Sequence, residues 1–102
     1  MLYVLDEENK VIPVETSEEW MIWMRENQHR RRVAEDFVAD VRISTLFFGT
    51  DLGFMPGGPP ITFETMIFGG QLDLASYRYS TWKEAEEGHK KATEQATAVL
   101  AN

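Results

Sequence analysis

The chain contains no cysteine in its 102 residues. That absence removes disulfides, thiolate zinc sites and thiol nucleophiles together, and it leaves the redox compartment open. Histidine is scarce as well: His29 and His89 are the two imidazoles available for acid–base or ligand chemistry. Bases are outnumbered, with ten Lys and Arg against seventeen Asp and Glu, for a net charge of −7. Phosphate neutralisation needs a basic surface, so nucleic acid is not an expected partner. No run nears the ~20 apolar residues of a membrane helix. The opening MLYVLDEENK lacks the basic start and long apolar core of a signal peptide. The expectation is cytoplasmic residence, away from membranes.

What remains is enough for one folded domain, residues 1–102, at 43% apolar and 12% aromatic. LYVLD and KVIPVET read as short strands around the turn EENK, with Pro13 placing the second at a sheet edge. Thr16 and Glu19 have capping-box spacing, and Trp20, Trp23 and Met24 share one helical side, predicting a helix over Ser17 to Asn27. RVAEDFV and VRISTLFF follow as strands turning near Ala39–Asp40, then ITFETMIF and ASYRYS. The last segment predicts a helix: Thr81 and Glu84 cap it, and Trp82, Ala85, His89, Ala92, Ala96 and Val99 trace one stripe. The order ββαββββα, with hairpin connections, predicts an α+β fold with an antiparallel sheet of about six short strands and two helices.

Residues 47–70, FFGTDLGFMPGGPPITFETMIFGG, hold six of seven glycines, three of four prolines and five of six phenylalanines. A phosphate cradle would need a helix N-terminus beyond the glycines and a nearby cation. A β-branched, aromatic run follows instead, and the segment has no Lys or Arg. Connector duty explains the prolines and glycines but not Leu52, Phe54 and Met55, which fold back on the core or face a partner. The flanking strands carry apolar residues on both faces toward their C-terminal ends, Phe48 and Phe68 included. One side of the sheet has helices to cover it; the other calls for the loop, a second copy or a target.

Glu64 shares a face with Met66 and Phe68 and is expected to pair with Arg78. His89, on the apolar stripe, reads first as a core histidine bonded to a neighbour, ahead of a general base or metal ligand. The run Arg30–Arg32 suits a solvated helix end, or a grip on an anionic partner. No nucleophile–base–acid set and no metal motif stands out, so neither catalysis nor a cofactor or metal is expected.

The blocks ISTLFFGTDLGFMPGGPPITFETMIFGG and RYSTWKEAEEGHKKA resemble a group of small, mostly uncharacterised bacteriophage and prophage proteins. The likeness covers about residues 41–92. This chain departs at Leu52-Gly53-Phe54, where the group more often has His after Asp. The resemblance implies a phage origin and residence in the cytoplasm of an infected bacterium, and it implies no activity.

Three functional expectations follow. The first is a non-enzymatic phage accessory protein that binds or inhibits a host or phage protein and self-associates, as a dimer in the favoured case. Its surface would include Phe48, Leu52, Phe54, Met55 and Phe68. The second is a small-ligand or nucleotide-sequestering protein, in which the Arg30–Arg32 run (Arg30 and Arg31 foremost) or Arg78 meets the Gly/Pro loop and Trp23 or Trp82 stacks on a base. A hydrolase built on His89 and Glu64 ranks third.

Overall fold

A computed structural model describes residues 1–53 and 57–101. The fold is α+β, and the described residues form six antiparallel strands in two sheets. Strands β1 (Leu2–Leu5) and β2 (Val11–Val14) form a hairpin, closed where the Asp6 carboxylate accepts from the Glu8 and Lys10 amides. Pro13 is harmless here because, among the described residues, β2 pairs with β1 alone and its other edge is free.

Helix α1 (Ser17–Glu26) starts where Thr16 Oγ1 accepts from the Glu19 amide at 3.1 Å. It stops at Asn27, whose side chain donates back to the Trp23 carbonyl. A one-turn helix α2 (Gln28–Arg31) follows, so the described residues form three helices where the sequence pattern predicts two. Helix α1 packs on β1 and β2 and touches the larger sheet through Trp23, edge-on to Phe47.

The larger sheet runs β3 (Arg32–Val38), β4 (Val41–Phe47), β5 (Phe63–Phe68), β6 (Ser76–Tyr79), each strand pairing with its sequence neighbour. Ala39 turns β3 into β4 with φ of 55°, at the expected place. One face of β4 and β5 is buried: Ile43, Thr45, Phe47, Phe63, Thr65 and Ile67 are fully enclosed. Helix α3 (Trp82–Leu100) covers that face, held by a complete capping box between Thr81 and Glu84. Its buried stripe is Ala85, His89, Ala92 and Ala96. Three of those four residues are alanines, so the helix lies close on the sheet.

The core divides along α3. Ala92 and Ala96 meet Val41, Ile43 and Ile67 toward its C-terminal end. Ala85 meets Phe47, Phe63 and Leu5 at the other, where Trp82 stands edge-on to Phe63. Two glycines permit this packing. A Cβ on Gly49, which has φ of 74°, would fall 2.6 Å from Trp20 Nε1 and 2.9 Å from the Tyr3 carbonyl. The Gly49 carbonyl accepts from Tyr3 N and from the Trp20 indole, so one residue docks both β1 and α1. Gly88 admits the Tyr79 ring, which stands 2.1 Å from where a Cβ would be. The glycine therefore serves close approach of β6 to the helix.

Candidate functional site: the uncovered sheet face

Helix α3 takes one side of the four-stranded sheet, and among the described residues no helix covers the other. The register arranges that uncovered face in three rows. Phe37, Arg42 and Phe68 lie abreast; Glu35, Ser44, Met66 and Ser76 form the next row; Arg32, Leu46, Glu64 and Arg78 the third. Phe37 is 64% exposed and Phe68 36%. The sequence suggested a more continuous apolar surface, but charged side chains interleave with the apolar ones.

Those charges are paired. Glu35 accepts from Arg32 at 2.9 Å and from Arg42 at 2.6 Å, and the Arg42 guanidinium sits 5.5 Å over the Phe68 ring. Glu64 accepts from Arg78 at 2.8 Å, the pair expected from the sequence, and the two residues are direct cross-strand neighbours. Three arginines against two glutamates leave the face with one excess positive charge on a chain of net −7.

The Gly/Pro loop begins at the end of this face. Its neck is closed by Asp51, whose carboxylate accepts from Gly53 N at 2.9 Å and Ile61 N at 3.0 Å, while Leu52 N donates to the Ile61 carbonyl. These amides, Ile61 foremost, hold the Asp51 carboxyl below its ordinary pKa. Leu52 is half-buried, and its carbonyl accepts from Arg78 at 3.1 Å, tying the neck to β6. Phe48 is half-buried beside the neck, its amide bonded to the Thr62 carbonyl. Phe54 and Met55 lie outside the described residues. Among the described residues, a Cβ on Gly57 or Gly58 would meet nothing within 4 Å.

The arginine run does not act as a unit. Arg30 donates to the Asp6 carbonyl and to Asn9 Oδ1 and lies 5.7 Å over Trp23, clamping the β1–β2 turn to α1. Arg31 donates to the Phe47 carbonyl at 3.0 Å, and burial pulls its pKa down. Arg32 turns to Glu35 on the uncovered face. The structure places Arg78, and neither Arg30 nor Arg31, at the loop. Trp23 and Trp82 both pack edge-on to core phenylalanines.

His89 is 4% exposed and bonds two neighbours: Nε2 reaches Asp36 Oδ2 at 2.7 Å, and Nδ1 reaches Thr45 Oγ1 at 2.7 Å. Thr45 continues to the Thr65 hydroxyl. Burial pushes the Tyr79 hydroxyl above its ordinary pKa, which a hydrogen bond with the Thr65 side chain partly offsets. An acid–imidazole–hydroxyl order is the layout of a nucleophilic triad. Thr45, however, is fully enclosed between sheet and helix, where no substrate reaches it. The network acts as a polar stitch joining β3, β4, β5 and α3. Glu64 lies on the opposite face of the sheet from His89, so the two do not form a common site.

Sequence reasoning missed Asp36 and Thr45. The available signal was Thr45 and Thr65 recurring on an otherwise apolar strand face, which asks for a buried polar partner. Another buried hydroxyl, Thr62 Oγ1, has no hydrogen-bond partner among the described residues. Among those residues no cluster of His, Asp and Glu could hold a metal ion, and no helix is long and apolar enough to cross a membrane. Comparison with family models, curated proteins and solved structures found no match for the chain.

Proposed function

We propose that the protein works as a non-enzymatic binding protein, using the uncovered face of the four-stranded sheet, with a second copy as its first occupant. The observation that supports this reading is the placement of Phe37 and Phe68 in the open beside Met66 and Leu46, on a sheet whose other face is closed by α3. Pre-paired arginines support it too, because Arg32, Arg42 and Arg78 are already held in place and lose little side-chain freedom on contact. Their excess positive charge favours an acidic rim on the occupant, which this acidic chain itself supplies elsewhere.

Size limits the contact. Strands ~4.8 Å apart and a rise of ~3.3 Å per residue give the face a footprint on the order of 400 Å². A standard interface covers about 800 Å² per partner, so the face forms the centre of a contact that neighbouring loops complete. The expected complex is modest and exchangeable. Resemblance to the phage-encoded group adds the setting, an accessory factor acting on a host or phage protein in the infected bacterium's cytoplasm.

Native mass spectrometry of gently purified protein tests the reading, with a Phe37→Asp/Phe68→Asp variant alongside. Dimers, or a bound protein, that the variant loses are the expected result. Bare monomers for both overturn it. The ligand-binding reading keeps one support, the contact between Arg78 and the loop neck, and thermal-shift measurement against a nucleotide panel checks it.

A further inference from the structure

We infer that the open edge of β6 takes an additional strand from a partner protein, supplied by an extended segment with Lys or Arg at alternate positions. Three observations carry this.

The first is the backbone. Ile67 N donates to the Ala75 carbonyl and Thr62 N to the Tyr79 carbonyl, so the odd-numbered residues of this strand face β5. Hydrogen-bonding direction alternates along a strand, which turns the N–H and C=O groups of Ser76 and Arg78 outward. Among the described residues no strand pairs with β6 on that side. Such an edge is a template for strand addition.

The second is the overhang of α3. While Ala85, His89, Ala92 and Ala96 press on the sheet, a second stripe containing Glu84, Glu87, Lys91 and Glu94 runs along the flank beyond β6. Flank and edge enclose a groove of about 750 Å³, with Tyr77 and Tyr79 on the strand side. A fifth strand would lie beneath the flank, with every second side chain entering the groove beside the tyrosines.

The third is charge. The flank sets three carboxylates against the single ammonium of Lys91, so basic side chains complement it. A second copy fits poorly. Pairing β6 with another β6 would bring two acidic flanks together, and offering β3 of a second copy would point Asp36 at the flank. The groove and the uncovered sheet face are separate surfaces, so this inference and the preceding one fail independently.

Selection from a display library of random linear peptides on the immobilised protein tests it. Enriched peptides should carry Lys or Arg at every second position and should shift the amide resonances of Ser76 and Arg78. Binding should weaken about tenfold in Glu87→Lys/Glu94→Lys, whose changes lie on exposed helix positions. It should also fail in Ser76→Pro, which removes an outward donor and is tolerated at an edge. No enrichment, enrichment without alternating bases, or equal binding to both variants would overturn the inference. Without peptide, concentration-dependent shifts at Glu87 and Glu94, which line the groove and not the uncovered face, would overturn it in favour of a second copy.

Discussion

Tyr79 occupies the space that a side chain on Gly88 would need, its ring carbons and hydroxyl 2.1–2.2 Å from the missing Cβ. In a free helix, alanine is favoured over glycine by ~1 kcal/mol. Here Gly88→Ala is expected to lower stability by about 1–2 kcal/mol instead, because the ring must leave its seat. In a Tyr79→Ala background the same change should recover the propensity gain of ~1 kcal/mol. Urea unfolding of the four proteins in this cycle measures the reversal.

Two threonine-to-valine changes should have opposite signs. Thr45 bonds His89 and Thr65 in the core, and Thr45→Val leaves both without that partner, an expected loss of about 2–3 kcal/mol. Thr62 is equally buried, but its hydroxyl finds no partner among the described residues. Thr62→Val removes an unmet desolvation cost and should be neutral or stabilising by ~1 kcal/mol. Denaturant midpoints at constant slope report both.

Much of the fold was legible from the sequence for identifiable reasons. Helix α3 announces itself because one stripe, Trp82 to Val99, agrees with the Thr81–Glu84 cap. The Glu64–Arg78 pair was legible because a half-buried carboxylate wants a cation and Arg78 is the one cation on the next strand, while the register that sets them opposite each other was not. What stayed hidden was long-range. Asp36 stands 53 positions before His89, and no local pattern announces that a strand-edge carboxylate meets a helix stripe. The position of α1 escaped for the same reason, since its docking runs through Gly49, far along the chain. Arg30 to Arg32 read as a unit only on paper: strand entry at Arg32 sends consecutive side chains to different surfaces.

Aspartate 51 predicts an acid response. Its carboxyl titrates below the ordinary range because the Ile61 and Gly53 amides favour the ionised form. The folded pKa is therefore lower than the unfolded one. The contribution to stability is fully present above about pH 4, the usual carboxylate value, and disappears as pH falls through the depressed folded value. Asp51→Asn should be less stable than the parent at neutral pH, with the gap closing in acid. Unfolding midpoints of both proteins across pH 2–7 check the sign.

On the uncovered face, Phe37→Thr should barely change folding, within about 0.5 kcal/mol, because the ring is largely in solvent. The same change should reduce self-association. Sedimentation equilibrium and thermal unfolding, run on one preparation, separate the two effects.

The closed neck at Asp51 and Ile61 also makes the loop beyond it modular. Its two ends meet whatever lies between them, so lengthening the span changes mainly the entropy of closing a ring. That term grows by only about 0.6 kcal/mol for each doubling of length. With no described neighbour within 4 Å of a Cβ on Gly57 or Gly58, a tag or foreign epitope inserted between them should leave the sheet intact. The chain thus carries a ready attachment point, mechanically insulated from the strands it joins.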